Sequence, residues 1–96
     1  MTMLRYYVDE LDRLVQQAAH RGMQSTEFVS GLHCAMQKIS LLLVGTTNHD
    51  FLNADYILTE AIDDYNKHPL PGVTEIGRLV GEYRGAATLA DATLAK

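Results

Sequence analysis

The fold is decided by residues 25–67, STEFVSGLHCAMQKISLLLVGTTNHDFLNADYILTEAIDDYNK, which contain two apolar stripes at helical spacing. In each half, apolar residues recur every three or four positions, which is the period of one face of an α-helix. The first stripe is Phe28, Leu32, Ala35, Ile39 and Leu42, and the second is Phe51, Ala54, Leu58, Ala61, Ile62 and Tyr65. The stretch therefore predicts two helices, which are separated by a turn at Gly45.

The ends of these two helices are marked by capping residues. A hydroxyl at Ser25 or Thr26 can accept hydrogen bonds from the free amides of the first turn, and the first helix should end near Val44. The second helix should run to about Lys67, before the prolines. Its candidate caps are Thr47, Asn48 and Asp50. Residues 68–72, HPLPG, predict a rigid connection between helices rather than a further element.

The same spacing continues toward the N-terminus. An apolar stripe consists of Leu4, Tyr7, Val8, Leu11, Leu14, Val15 and Ala18. It predicts a helix that begins after Thr2, ends near Arg21 and is closed by Gly22 in the left-handed conformation. On its outer side Asp9 lies four residues from both Arg5 and Arg13, a spacing that allows ion pairs along the helix surface.

The C-terminal part has a different pattern, because three glycines follow one another at four-residue spacing. Residues 74–84 predict a short helix with Gly77, Gly81 and Gly85 on one face, although glycine-rich segments also occur in strands. Internal glycines cost roughly 1 kcal/mol each relative to alanine, so close packing should compensate for them. Residues 86–96 are expected to form a weak helix or a frayed tail.

Together these elements predict an all-α protein, a small up-and-down bundle in a single domain over residues 1–96. Three amphipathic helices would form the bundle, and a shorter glycine-faced C-terminal helix would pack across them. Apolar residues make up 47% of the chain and charged residues 21%, values that are ordinary for a folded domain.

Composition excludes several classes of function. The net charge of −4 comes with only eight scattered basic residues, which argues against nucleic-acid binding. No apolar run approaches the ~20 residues that span a bilayer, and no secretory signal is recognisable. A single cysteine, Cys34, suits a reducing compartment. We therefore expect a cytoplasmic protein that acts without membrane or nucleic acid.

Catalytic and cofactor chemistry is not indicated. His33 and Cys34 are adjacent, so their side chains diverge by about 100° on a helix and do not form a dyad. Asp63 and Asp64 diverge in the same way and cannot act as an opposed carboxylate pair. The four histidines lack the spacing of metal ligands. We expect neither an enzyme, nor a cofactor, nor a metal site.

A helix-turn-helix regulator around Gly22 or Gly72 is the nucleic-acid alternative. Its recognition helix would need basic or amide side chains in the first turns. The residues available there are Glu27, Phe28, Val29 and Ser30 in one case, and Glu75, Ile76 and Gly77 in the other. Neither set is suited to reading base edges, so this alternative is the weaker one.

The leading expectation is a module that binds another protein, as an inhibitor, immunity factor or adaptor. Its partner surface is expected on the acidic outer face of the third helix, at Leu52, Tyr56, Glu60 and Asp63. The alternative is a self-assembling structural or assembly subunit with no foreign partner. Homodimerisation is expected in either case, through apolar or small residues that the bundle leaves outside. These are Leu41, Val44, Gly77 and Gly81.

Overall fold

Four helices account for nearly all of the computed structural model, which describes residues 3–46, 48–68 and 73–94. They are α1 (Met3–Arg21), α2 (Ser25–Leu42), α3 (His49–Lys67) and α4 (Val73–Leu94). These described residues contain no strand, so the all-α prediction is confirmed and the strand alternative for residues 74–84 is wrong. Thr2, Thr47 and the predicted connection at 69–72 lie outside the described residues.

Local signals set the helix ends. Gly22 and Gly45 have φ angles of 72° and 91°, in the left-handed region that glycine occupies without steric cost. Asn48 caps α3, because its Oδ1 accepts a hydrogen bond of 2.9 Å from the Phe51 amide. At the start of α2 the N-cap is Gln24, which makes no side-chain capping bond, and Ser25 is the first helical residue.

The fourth helix differs from the prediction. With 22 residues α4 is the longest of the four helices, not a shorter one, and it includes residues 86–94 of the segment expected to form a weak helix or a frayed tail. The reason is tertiary: Ala87 and Ala90 are fully buried in the core, which stabilises turns that composition alone leaves weak. The Thr88 hydroxyl also donates a 2.9 Å hydrogen bond to the Arg84 carbonyl oxygen within the helix.

Neighbouring helices run antiparallel, as an up-and-down bundle requires. Along α1 and α4, Gly77 faces Val15 whereas Arg84 pairs with Asp9, so the two helices run in opposite directions. The short α1–α2 turn makes a helical hairpin, in which Gly31 of α2 lies against Leu14. Contacts are extensive for α1 with α2, α3 with α4, and α1 with α4, and they are sparse between α2 and α3.

A single cluster of buried apolar side chains joins the four helices. Most members come from the predicted stripes, but at the end of α2 Leu43 is buried while Leu42 is exposed. The prediction of Leu42 as a core residue is therefore wrong. α2 ends at Leu42, and Leu43 leaves helical geometry with φ −106° and ψ 23°, so strict helical periodicity no longer applies there.

Ion pairs on the surface also depart in part from the predicted pattern. Asp9 lies 3.9 Å from Arg5, as expected, but its second partner is Arg84 of α4 at 3.0 Å rather than Arg13. Arg13 pairs with Glu10, three residues before it. Among the helices that the structure describes, none is both long and apolar enough to cross a membrane.

Candidate protein-binding surface

The predicted partner residues lie along the edge of α3 that adjoins α2. Leu52, Tyr56 and Asp63 are spaced at i, i+4 and i+11, so they share one stripe of the helix. At one end of the stripe, Asp63 lies next to α2, because its Oδ1 is 3.8 Å from His33 Nε2 of that helix. Glu60 lies farther round, on the outer side of α3. We call the stripe and Glu60 the α3 surface.

Apolar groups are exposed on the α3 surface and at the adjoining end of the bundle. Leu52 is 47% exposed and Tyr56 is 65% exposed, large fractions for apolar or aromatic side chains. The turn from α2 to α3 adds more: Leu41 and Val44 are 62% and 72% exposed. These two predicted self-association residues therefore lie at the same end of the bundle as Leu52. Exposed apolar residues grouped in this way are typical of interaction sites.

The charge of the molecule is concentrated on α3. This helix has five carboxylates and one lysine, and the seven carboxylates elsewhere are matched by seven lysines and arginines. The α3 carboxylates are Asp50, Asp55, Glu60, Asp63 and Asp64. With histidines neutral, the whole net charge of −4 is therefore the charge of α3.

The surface formed by α1 and α4 has a different electrostatic character. Arg84 holds these two helices together, because Nη2 lies 3.0 Å from Asp9 Oδ1 and Nη1 lies 3.6 Å from Asp12 Oδ1. Arg78 pairs with Glu75 and Glu82 along α4. Arg84 and Arg78 are thus paired with carboxylates of their own chain, whereas among the described α3 carboxylates Asp63 alone lies within 4 Å of a basic side chain, His33 of α2.

A buried polar group lies beneath the seam between α2 and α3. Tyr83 of α4 is fully buried, and its ring packs on Phe51 with centroids 5.4 Å apart. Its hydroxyl lies near enough to Asp55 of α3 and Ser40 of α2 for both side chains to affect the pKa of Tyr83. No partner in hydrogen-bonding geometry satisfies this hydroxyl among the described residues. A buried hydroxyl of this kind is unusual, because it has given up its bonds to water.

The ionisation of the two acidic groups reflects this environment. Burial raises the pKa of the Asp55 carboxyl, and the nearby Tyr83 hydroxyl partly opposes the rise. Burial and the adjacent Asp55 carboxylate both raise the pKa of Tyr83. Within the described residues no lysine or arginine lies within 4 Å of Asp55, so the carboxylate is partly desolvated and has no counter-charge.

The two predicted glycine sites for self-association behave differently. A Cβ added to Gly77 would lie 3.0 Å from Cγ1 of Val15, so this glycine allows α1 and α4 to pack closely. A Cβ added to Gly81 would meet no atom of the described residues within 4 Å. Gly81 instead lines an open cleft of about 530 Å³ along α1 and α4, together with Gly85 and Val8.

The His33 and Cys34 side chains, which were considered for catalysis, do not approach each other. Cys34 is exposed and borders a separate cleft next to Tyr6 and Lys38 of α1 and α2. His33 reaches across the seam to Asp63 instead of toward the thiol. The part of the chain that the structure describes has no group of three or more histidine, cysteine or carboxylate side chains able to hold a metal ion.

Comparison with known proteins adds no relative to this geometry. No family model matches the chain. No curated protein and no solved structure matches it either. Any functional assignment therefore rests on the surfaces described above.

The polar group at the seam, formed by Asp55, Ser40 and Tyr83, is not among the sites predicted from the sequence. One signal was present: Asp55 lies four residues after Phe51 and three before Leu58, an inward position within an apolar stripe. A carboxylate at such a position indicates a paired or functional group, because unpaired charges are costly to bury. Its neighbours could not be identified from the sequence, since Ser40 and Tyr83 belong to other helices.

Proposed function

We propose that this chain is a protein-binding module whose α3 surface captures a basic partner protein, in the manner of an inhibitor, immunity factor or adaptor. The observation that carries the proposal is the concentration of the entire net negative charge on α3, beside exposed Leu52 and Tyr56. Complementary charge accelerates encounter and selects the partner, and aromatic and aliphatic side chains provide most of the binding energy.

In this proposal the chain acts by occupying a partner rather than by catalysis. The helices form the support, and the exposed carboxylates Glu60 and Asp63 of α3 lie on the same surface as the exposed apolar groups of Leu52 and Tyr56. Such an arrangement resembles the general anatomy of a protein interface, with an apolar core and a polar rim. An exposed Cys34 suits the reducing conditions of the cytoplasm, which we propose as the location.

Capture from an extract of native cells tests the proposal. Tagged wild-type chain is compared with the double variant Tyr56→Ala/Glu60→Gln and with the matched control Tyr6→Ala/Glu10→Gln. The control removes the same two residue types at the same i,i+4 spacing, with exposed Tyr6 on α1. We expect a stoichiometric basic protein with the wild type and the control, and its loss with the α3 variant.

The opposite results would overturn the proposal. Retention of the same protein by the Tyr56→Ala/Glu60→Gln variant would exclude the α3 surface. Equal loss in both double variants would show that the two helices do not differ as partner surfaces. Circular dichroism of each variant confirms that folding is retained, because all four residues have exposed or half-exposed side chains.

A second candidate is self-assembly as a homodimer or structural subunit. It is favoured by Gly81, whose position in an exposed helix face has no contact that requires glycine within one chain. A second copy packing against this face would explain the loss of helix propensity. Sedimentation equilibrium of the wild type and of Gly81→Leu tests it: a dimer that dissociates in the variant supports this candidate, and a monomeric wild type overturns it.

A further inference from the structure

Three neighbouring groups on different helices meet at the seam between α2 and α3. Ser40 comes from α2, Asp55 from α3, and the Tyr83 hydroxyl arrives from α4 across the core. Ser40 is exposed and Asp55 is half-buried, so the cluster extends from the core to the surface. Leu52 precedes Asp55 by three residues and is its neighbour on the helix surface. The cluster thus lies directly beside the apolar part of the α3 surface.

The cluster is electrostatically incomplete in the isolated chain. Asp55 has no cationic neighbour within 4 Å in the described part of the chain, although burial has removed part of its hydration. Farther along this seam, His33 Nε2 of α2 lies 3.8 Å from Asp63 Oδ1 of α3, so that contact leaves Asp55 without a cationic partner of its own in the described part of the chain. The Tyr83 hydroxyl has lost water and makes no hydrogen bond there. Both groups would gain from a donor that enters from outside.

The chemistry of such a donor is narrow. A partly desolvated carboxylate is matched by a lysine or arginine side chain, which supplies the opposite charge and several N–H donors. The Ser40 hydroxyl and the Tyr83 hydroxyl oxygen can each accept one of those hydrogen bonds. Beside them, Leu52 and Tyr56 can cover the apolar stem of the entering side chain.

We infer that the seam between α2 and α3 is the anchor pocket of the α3 surface and receives one lysine or arginine side chain from an amphipathic helix of the partner. Asp55 forms the ion pair, and Ser40 and Tyr83 orient the cation. This inference rests on the proposed function, because it specifies the partner of the same surface. Contacts between α2 and α3 are sparser than those between α1 and α2, α3 and α4, or α1 and α4, so a side chain that enters this seam displaces less packing.

A displayed peptide library is the probe for this inference. Each 18-residue member is an idealised amphipathic helix with leucines on its apolar face. One central position on that face carries lysine, arginine, glutamine, methionine or leucine, and the flanking positions are randomised. After selection on the wild-type chain, we expect lysine and arginine to be enriched at the central position at least about tenfold over the neutral residues.

Four chains then bind the selected peptide: the wild type, Asp55→Asn, Tyr83→Phe and the control Asp64→Asn. The control removes the same charge from exposed Asp64 of the same helix, which lies nine residues after Asp55 and therefore on the opposite side of α3. We expect at least about tenfold weaker binding to Asp55→Asn and less than about twofold change for Asp64→Asn. Tyr83→Phe should bind severalfold more weakly while unfolding at the same or higher denaturant concentration, because it removes an unsatisfied buried hydroxyl.

The outcomes separate this inference from the proposed function. Equal losses of peptide affinity for Asp55→Asn and Asp64→Asn would show that the carboxylates act only through long-range attraction. This result would overturn the anchor pocket. Enrichment of neutral central residues, or no binding by any library member, would overturn it as well. Peptides that lose affinity for Tyr56→Ala but not for Asp55→Asn would overturn the anchor pocket alone and leave the α3 surface as the binding site.

Discussion

The α1–α4 side and the α3 side of this bundle share one core but differ in how their charged side chains are paired. On the first side Arg84 and Arg78 pair with carboxylates of their own chain. On the second side, α3 contains five carboxylates and only one lysine. Net charge alone therefore describes this protein poorly, because the total of −4 equals the charge of α3. Internally paired charges stabilise the fold modestly, whereas unpaired charges beside exposed apolar groups suit a partner.

The largest predicted effect tests whether the two sides belong to one cooperative unit. Leu11 of α1 and Leu58 of α3 are both fully buried. We expect Leu11→Ala and Leu58→Ala each to lower the free energy of unfolding by about 2–5 kcal/mol, because each leaves a cavity in the shared core. Urea unfolding followed by circular dichroism measures it. Two separate transitions in either variant would show that the sides fold independently.

A smaller effect separates the two glycines on the α1–α4 side. Gly81→Ala should raise the free energy of unfolding by about 1 kcal/mol, since alanine favours helix and no atom obstructs its methyl group. Gly77→Ala should gain the same helix propensity but lose about 1 kcal/mol of it, because its methyl group would press on Val15. Its free energy of unfolding should therefore stay about 1 kcal/mol below that of Gly81→Ala. Thermal and urea unfolding at two protein concentrations provide the comparison. A loss of stability in Gly81→Ala that depends on concentration would instead favour the self-assembling alternative.

Removing one charge from each side should change stability in opposite directions. Arg84→Met breaks the bridge to Asp9 and Asp12 and should cost about 0.5–1 kcal/mol, less at high salt. Asp64→Asn should gain roughly 0.2–0.5 kcal/mol, because Glu60 lies four residues before it with the same charge. Urea unfolding at low and high salt distinguishes the two. Destabilisation by both variants would mean that α3 carboxylates have favourable partners within the chain.

The smallest effect is a difference in pH dependence between one carboxyl on each side. Arg13 lowers the pKa of Glu10 in the folded chain, so this group stabilises the fold above its unfolded pKa, and the contribution is lost as pH falls. Burial raises the pKa of Asp55, so its contribution is complete below the unfolded pKa and is lost as pH rises through the folded value.

Variants that remove one charge measure how the stability contributed by each of these two carboxyls changes with pH. From acid to neutral pH, the stability of Asp55→Asn should rise relative to the wild type, and that of Glu10→Gln should fall relative to it. Unfolding free energies between pH 3 and pH 7 provide the readout. Parallel changes in the two variants would contradict the different environments of the carboxyls. Because Glu10 pairs with the largely exposed Arg13 on the surface of α1, where solvent screens the interaction, its change should be the smaller of the two.

Much of the local structure could be predicted from the sequence, but only part of the candidate site could. The exposed members of the α3 surface follow from helical spacing, because Leu52 and Tyr56 fall outside the apolar stripe. Asp55 was recognisable only as an irregularity inside that stripe. Ser40 and Tyr83 carried no local signal, since their relation to Asp55 depends on how three helices pack.

The turns that separate the first three helices follow from the sequence alone. Backbone hydrogen bonds in a helix join residues four apart, and caps act within one turn, so Gly22 follows the end of α1, Gly45 follows the end of α2, and Asn48, one of three candidate caps, precedes α3. Only the tertiary structure decided the length of α4, the partner of Asp9 and the polar group beneath the α2–α3 seam. Each of these depends on residues far apart in the chain, whose proximity arises when the helices bury their apolar faces together.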